Sequence, residues 1–233
     1  MKKIPAWQYD EFNQIGVDYE DPAAVEAYDA RHARFRDVDA ECNRILDLLA
    51  VTPQAVVIDL GTGTGAFAIH AAHRCAKVYA VDVSGPMLEF AQQRAETAGL
   101  GNITFCCAGF LTYAHNGEPA DALVTSMAFH HLPDFWKGIA LNRLNGMLKP
   151  GGLLYIHDVI FAQTEAETNI ARWIDHLAET CGKQLRDEVA MHVREEFSTY
   201  DWIMDGLLER AGFSILSKEM AAGVIGTYLC QTG

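Results

Sequence analysis

This chain of 233 residues has little positive charge, no Cys-x-x-Cys pair and no hydrophobic run long enough to span a bilayer. Its 18 Lys and Arg residues are outnumbered by 31 Asp and Glu residues, which gives a formal net charge of −13. Phosphate backbones attract cationic surfaces, so this shortage of positive charge argues against a nucleic-acid partner.

The cysteines and the hydrophobic pattern also exclude some classes of protein. The six cysteines include no Cys-x-x-Cys pair, so we expect reduced thiols rather than a disulfide framework. No apolar run could span a bilayer, and Met1-Lys2-Lys3 is not followed by a signal-peptide core. We therefore expect a cytoplasmic protein with no membrane partner. The neighbouring His130 and His131 lack metal-site spacing, and no His, Cys or Glu cluster completes a site, so no metal is predicted.

Half of the residues are hydrophobic, and the length suits one α/β domain. Short apolar runs alternate with helical patterns, at 55–60, 77–82, 103–107, 121–127 and 152–158. Each run is apolar nearly throughout, as is typical of strands that are covered on both faces. Repeated strand and helix units of this length predict a doubly wound, mostly parallel sheet.

The chain is predicted to form one domain with four segments. These are an N-terminal arm and helix over 1–50, a core over 51–159, a helical cap insertion over 160–211 and a C-terminal hairpin over 212–233. The aromatic-rich arm either packs on the surface or closes as a lid over a ligand. A single amphipathic helix is predicted from Asp21 to about Pro53, while Arg194-Glu195-Glu196 is predicted to be a solvated helix end.

The stretch from Val56 to Gly65 predicts a strand, a tight turn and the start of a helix. An apolar run stops at Asp59, and glycines follow at 61, 63 and 65. Glycine allows positive φ and lets a ligand lie directly against the backbone. By spacing alone, Gly61-x-Gly63-x-x-Ala66 also fits a dinucleotide fingerprint. However, Asp59 would repel a pyrophosphate, whereas it suits a ligand that carries an ammonium and a sulfonium.

A second acid, Asp82, ends the next apolar run. It follows the first glycine by about 20 residues, where a carboxylate can accept hydrogen bonds from both ribose hydroxyls. With these two acids and Gly-x-Gly-x-Gly, the chain resembles the class I S-adenosylmethionine-dependent methyltransferases from about Val56 to Val159. The resemblance implies a seven-stranded Rossmann-like sheet of order 3-2-1-4-5-7-6 with an antiparallel last strand. It also implies S-adenosyl-L-methionine as cofactor and S-adenosyl-L-homocysteine as product.

The resemblance further implies which residues contact the cofactor. They are Tyr19, Asp59, Gly61, Thr62, Gly63, Gly65, Asp82, Val83, Met87, Gly109, Phe110 and Ser126. Phe110 stands where many relatives have an aspartate that binds the adenine amino group. The backbone of Gly109 and Phe110 is therefore expected to recognise the base, with the Phe110 ring free to stack on it.

Two residues are candidates for proton transfer. His130-His131-Leu132-Pro133-Asp134 resembles a stretch of the small-molecule branch, which includes the quinone C-methyltransferases. Within it, His131 is a candidate general base, as is Asp158 at the end of the fifth strand. The alternative for both residues is a structural role in loop positioning or hydrogen bonding.

The sequence thus predicts in-line methyl transfer to a small-molecule acceptor by a monomer or a homodimer. Proximity and orientation of the methyl group would supply most of the rate. The segment after the fourth strand lacks the Asn/Asp-Pro-Pro-aromatic signature of amino-group methylation on adenine or glutamine. Two other functions stay open at this point. One is an NAD-dependent oxidoreductase, and the other is a non-catalytic S-adenosylmethionine-binding module.

Overall fold

A computed structural model describes residues 5–13, Val25 and residues 37–233 of the chain. Tyr19, predicted to contact the cofactor, and the predicted helix start at Asp21 lie outside the described residues. Within them, no helix combines the length and the apolar character needed to cross a bilayer.

The helices and strands alternate through most of the described chain. The helices are α1 (Val38–Leu48), α2 (Ala66–Ala72), α3 (Gly85–Thr97), α4 (Asp134–Asn145), α5 (Ala166–Cys181), α6 (Lys183–Glu195) and α7 (Asp201–Arg210). The strands are β1 (Val56–Leu60), β2 (Lys77–Asp82), β3 (Ile103–Cys107), β4 (Ala120–Ser126), β5 (Leu148–Phe161), β6 (Thr199–Tyr200), β7 (Phe213–Ala221) and β8 (Ile225–Thr232). A short 3-10 turn spans Phe129–His131.

The strands form a mixed sheet of order β3-β2-β1-β4-β5-β8-β7. Strands β1 to β5 pair in parallel, whereas β8 is antiparallel to both β5 and β7. The two-residue strand β6 pairs with β5 outside this order. The predicted order 3-2-1-4-5-7-6 is therefore confirmed, with the last two numbers raised by one because β6 precedes them.

The centre of the sheet is buried because apolar layers cover both of its faces. In β1, Ile58 belongs to one buried cluster and Val57 to the other, which follows from the alternation of side chains along a strand. Helix α4 packs in the first cluster through Leu141, and α1 packs in the second through Leu46. This two-sided burial explains why the strand sequences are almost entirely apolar.

Two predicted boundaries are corrected by the structure. The prediction of one continuous helix from Asp21 to Pro53 is wrong, because a helix starts anew after Asp37. The Asp37 backbone is not helical, and its carboxylate accepts a hydrogen bond from the Ala40 N–H at 3.0 Å. Strand β5 extends beyond the predicted run of 152–158, because it pairs with β4 on one side and β8 on the other.

The insertion after β5 contains α5 and α6, which pack against each other but have no fully buried residue. The predicted solvated end of α6 is correct for Arg194 and Glu195, whose side chains are 68% and 41% exposed. It is wrong for Glu196, whose side chain is only 6% exposed. The Glu196 side chain therefore lies against the rest of the domain, where it contacts His130.

Lys137 is a buried lysine that joins α4 to the end of the insertion. Its Nζ donates to Asp134 Oδ1 at 3.0 Å and to the carbonyl oxygen of Phe197. Burial lowers the pKa of Lys137, although the neighbouring Asp134 carboxylate opposes this shift.

Replacing Lys137 should measurably destabilise the fold. We expect Lys137→Met to lower the free energy of unfolding by about 1–3 kcal/mol, because the partly buried Phe197 carbonyl loses its donor. Urea denaturation measures the loss. Lys149→Met is the control, because Lys149 pairs with Asp121 between side chains that are 41% and 38% exposed. Such a pair contributes less than about 1 kcal/mol. Equal losses in the two variants would contradict the bridging role of Lys137.

Candidate active site

A pocket opens at the carboxyl ends of β1, β2 and β4, where the loops that follow these strands converge. Ligands of doubly wound sheets bind at this edge. Most of the residues predicted to contact the cofactor line the pocket, namely Asp59, Gly61, Thr62, Gly63, Asp82, Val83, Met87, Gly109, Phe110 and Ser126. The candidate general base His131 lines it as well. Gly65 and Asp158 are not among the lining residues.

The three glycines of the first loop have different roles. All have positive φ, of 75° at Gly61, 53° at Gly63 and 78° at Gly65. A Cβ at Gly61 would lie 2.3 Å from the Ala128 Cβ, and one at Gly65 would lie 2.7 Å from the Ala91 Cβ. A Cβ at Gly63 would meet nothing within 4 Å. Gly61 and Gly65 thus allow close packing, whereas Gly63 borders the open space of the pocket.

Asp82 holds the glycine loop and the start of α3 together. Its Oδ2 accepts from the Gly63 N–H at 2.8 Å, and its Oδ1 accepts from the Ser84 N–H at 2.9 Å. Ser84 in turn caps α3 by accepting from the Met87 N–H. The Asp82 carboxylate therefore stands at the pocket, next to the glycine loop.

Asp59 is a second buried acid in the pocket and is 3% exposed. Its Oδ2 accepts a hydrogen bond from Thr62 Oγ1 at 2.6 Å. Burial raises the pKa of Asp59 to about 7, since the Thr62 bond opposes the shift only in part and the Asp82 charge adds to it. A positively charged ligand would favour the ionised form, so this carboxyl group is poised to respond to one.

The segment after β4 forms the other side of the pocket. Met127 has a left-handed φ of 54°, which is strained for a residue other than glycine. Its N–H donates to the carbonyl oxygen of His157 at 2.8 Å, and its side chain lies at the pocket with Ala128, His131 and Leu132. The sequence contains no signal for this strained position.

Asp158 fixes the 3-10 turn that follows β4. It is 1% exposed and accepts from the Phe129 N–H at 2.7 Å and from the His130 N–H at 3.2 Å. Its other oxygen lies 2.5 Å from His130 Nδ1. These contacts give Asp158 a positioning role, and its assignment as a catalytic group stays a prediction.

The two neighbouring histidines differ in charge at neutral pH, because the pKa of one is raised and that of the other is lowered. His130 Nε2 lies 3.1 Å from Glu196 Oε2, on the side of the ring away from Asp158. Burial lowers the pKa of His130, but the carboxylates of Asp158 and Glu196 outweigh it and raise the value to about 9. Burial and the charge of His130 lower the pKa of His131 to about 4. At neutral pH, the pocket residue His131 is therefore uncharged.

The described part of the N-terminal arm is anchored beside the pocket by Glu11, which the sequence reasoning missed. Its carboxylate accepts from the Leu111 N–H at 2.9 Å and from Thr112 Oγ1 at 2.6 Å. Gly109 leaves room for it, since a Cβ there would lie 2.4 Å from Glu11 Cδ. Tyr9 adds a hydroxyl bond to the carbonyl oxygen of His131 at 3.3 Å. The sequence around Glu11 contains nothing that indicates its partners Leu111 and Thr112, which lie about 100 residues further along the chain.

Several other lining residues were also missed. They include Val38, Glu41, Cys42 and Ile45 of α1, and Ala66 and Phe67 at the start of α2. For the α1 residues, the only indication in the sequence was the apolar face predicted for the N-terminal helix.

Removing the Glu11 carboxylate should loosen the arm. We expect Glu11→Ala to lower the free energy of unfolding by about 1–3 kcal/mol, because the buried Leu111 N–H loses its acceptor. Hydrogen exchange at the Leu111 amide should accelerate as well. Asp10→Ala is the control, because exposed Asp10 bonds only within the arm, and its loss should stay within about 0.5 kcal/mol. Unchanged Leu111 exchange in Glu11→Ala would refute the anchoring role.

Comparisons with known proteins agree with this geometry. The family model described as a methyltransferase domain matches residues 57–152. An uncharacterized methyltransferase of Geobacillus kaustophilus is 31% identical over 205 residues, which cover 88% of each chain. The solved structure of a SAM dependent methyltransferase from Aquifex aeolicus has a TM-score of 0.64 at 18% identity, covering 91% of this chain and 99% of that one. Magnesium protoporphyrin IX methyltransferase from Synechocystis, solved with bound SAH, has a TM-score of 0.62 at 19% identity, with 96% and 91% covered.

Proposed function

The chain belongs to the class I S-adenosylmethionine-dependent methyltransferases, and from that premise we propose that its methyl acceptor is a small molecule. The observation that carries this proposal is the position of the arm. Tyr9 bonds to the carbonyl oxygen of the pocket residue His131, and the buried Glu11 lines the same pocket. An acceptor must therefore fit beside the arm. The net charge of −13 adds an argument against nucleic acid.

The residues present fit the cofactor that this family uses. S-adenosylmethionine supplies a methyl group on a positively charged sulfur. Gly63 leaves open space at the loop, and Asp82 lines the pocket with a carboxylate, the group that accepts hydrogen bonds from ribose hydroxyls at this place in doubly wound folds. Asp59 places negative charge near a cationic ligand, and Met87 contributes an apolar contact at the start of α3. We assign these four residues to cofactor binding.

The acceptor side of the pocket is assigned to the segment after β4. His131 and Met127 line the pocket there, next to Ser126 at the end of the strand. Holding the acceptor beside the methyl group lowers the barrier chiefly through proximity and orientation. His131 is the residue that we assign to accept a proton from the acceptor, and Asp158 positions it through the 3-10 turn.

The acceptor class is tested with S-adenosylmethionine that carries an isotopically labelled methyl group. The full-length chain is incubated with separate small-molecule, protein and nucleic-acid fractions of a cell extract. We expect label in the small-molecule fraction alone, with Asp82→Ala as the control of low activity. Label in protein or nucleic acid would contradict the proposal. Cofactor binding without transfer to any fraction would support a non-catalytic module instead.

A methyl group at position 63 should weaken cofactor binding more than it weakens the fold. Gly63→Ala and Gly99→Ala make a matched pair, because both glycines have positive φ and neither Cβ would meet an atom within 4 Å. Each variant should lose about 1–2 kcal/mol of stability through left-handed strain. Only Gly63→Ala should also weaken S-adenosylhomocysteine binding, by at least about tenfold in calorimetry. Equal affinities in the two variants would remove Gly63 from the cofactor site.

Cofactor affinity should depend on pH through Asp59. The pKa of this acid is raised to about 7, so below that value a cationic ligand must displace a proton. Affinity for S-adenosylmethionine should therefore decrease from about pH 8 to about pH 6, approaching tenfold per unit below the pKa. Calorimetry of the wild type and Asp59→Asn tests this, because ionisation of the ligand itself is common to both proteins. Identical pH profiles would contradict the role of Asp59.

A further inference from the structure

Three side chains outside the cofactor pocket bring potential metal ligands together. Among the described residues, one nitrogen of His130, one nitrogen of His192 and one carboxylate oxygen of Glu196 lie within 4.8 Å of one another. The sequence interpretation predicted no metal and no such cluster, because His130 is far from the other two along the chain. Their meeting is a result of the tertiary structure.

Helix α6 and the residue that follows it supply two of these groups. His192 and Glu196 are one helical turn apart, and the Glu196 N–H donates to the His192 carbonyl oxygen at 2.9 Å. His130 approaches from the 3-10 turn after β4, and its N–H and Nδ1 contact the buried Asp158. The Phe197 N–H donates to the His130 carbonyl oxygen at 3.0 Å. The cluster therefore joins the cap insertion to the core.

Each histidine is held by its ring nitrogen on the side away from the cluster. His130 Nδ1 lies 2.5 Å from Asp158 Oδ1, and His192 Nε2 lies 2.8 Å from Ser198 Oγ. The opposite nitrogens, His130 Nε2 and His192 Nδ1, are the ones that face Glu196. Histidines that bind metals are oriented by this arrangement. Metal binding would displace the proton on His130 Nε2, so that the near nitrogen presents its lone pair while the remote nitrogen keeps its proton.

The Glu196 carboxylate gives an independent indication of a ligand. Its Oε2 lies 3.1 Å from His130 Nε2 and 2.8 Å from His192 Nδ1. The side chain is 6% exposed, and this oxygen makes close ionic contacts with both rings that lie outside the angular range of a directed hydrogen bond. A buried carboxylate oxygen that faces two ring nitrogens without a directed hydrogen bond is a suitable place for a cation.

We propose that His130, His192 and Glu196 bind a divalent transition-metal ion, with Zn²⁺ the best match. Two imidazole nitrogens and one carboxylate oxygen are a donor set that Zn²⁺ uses at three-ligand sites, which leave a fourth position open. Tetrahedral ligands at Zn²⁺ bond lengths lie about 3.3 Å apart, so each oxygen–nitrogen distance needs to increase by only a few tenths of an ångström. The two nitrogens lie within 4.8 Å of each other. The ligand His130 is next in sequence to the pocket residue His131, so the ion would tie the end of α6 to the edge of the pocket.

The test uses the full-length chain, freed of metal by a chelator and titrated with ZnCl₂ in a calorimeter. We expect one equivalent to bind, and His192→Ala and Glu196→Gln to weaken this binding by at least about tenfold. Ser198→Ala should weaken it less, since Ser198 only orients His192. His176→Ala is the matched control, because His176 is an exposed histidine on α5 whose removal should leave affinity unchanged.

A second measurement separates this site from binding by thiols. Co²⁺ bound by imidazole and carboxylate gives visible d–d bands without a thiolate charge-transfer band. Limited proteolysis within residues 183–195 should also become slower when Zn²⁺ is added, and this change should be absent in Glu196→Gln. Circular dichroism confirms that each variant is folded, so that a loss of binding reports on the site.

Three outcomes would overturn the proposal. The first is no stoichiometric binding by the wild type, which would leave a metal-free network of His130, Asp158 and Glu196. The second is a thiolate band, which would assign the binding to cysteines. The third is equal affinity in the wild type, His192→Ala and Glu196→Gln. None of these results bears on methyl transfer, because the cofactor residues Asp59, Gly63 and Asp82 are not changed.

Discussion

The buried carboxylate of Asp158 organises the segment on which both sites depend. It lies in β5 and accepts hydrogen bonds from two successive backbone N–H groups of the turn after β4. Its second oxygen holds the His130 ring. The Asp158 side chain is only 1% exposed, and a buried carboxylate without hydrogen-bond partners would strongly destabilise the fold. One side chain thus directs His131 toward the pocket and His130 toward the cap insertion.

The acids at the ends of β1 and β2 act in a related way on the glycine loop. Asp82 accepts from the Gly63 N–H, and Asp59 accepts from Thr62, so each carboxylate restrains part of the loop. Neighbouring like charges in a buried place raise each other's pKa, and Asp82 contributes in this way to the raised pKa of Asp59. The pocket therefore holds two neighbouring acids before the ligand arrives, and Asp59 is only partly ionised near neutral pH. A cationic cofactor relieves this repulsion on binding.

Segments outside the central sheet complete the site. The arm reaches the pocket through Glu11, which occupies the space that the missing side chain of Gly109 provides. The insertion reaches the core through Glu196 and through the Phe197 carbonyl, which accepts from the buried Lys137. Helices α5 and α6 of the insertion have no buried residue, whereas the core helices are held by broad apolar contacts. Such segments open more easily than a packed core, as expected for elements that control access to a pocket.

The residue pattern by itself determined the doubly wound, mostly parallel sheet, and the resemblance carried by the glycine loop and its two acids implied the strand order and most of the residues that line the pocket. Strands such as Val56–Leu60 are apolar because both faces are covered, and this requirement is visible in any one strand without knowledge of its neighbours. The glycine loop and Asp82 could likewise be identified locally, since positive φ and a carboxylate at a strand end are properties of single positions. The separate roles of Gly61 and Gly63 could not, because they depend on which atoms lie opposite.

Only the tertiary structure decided which polar groups meet across the fold. Glu196 follows Arg194 and Glu195, and this charged run predicts a solvated helix end, yet the side chain is buried because His130 arrives from another element. Glu11 is likewise an ordinary acid until Leu111 and Thr112 come within hydrogen-bond distance. Local patterns encode burial and backbone conformation, which depend on neighbours in sequence. Pairing between distant polar groups depends on the packing of whole elements, and no single stretch of sequence contains it.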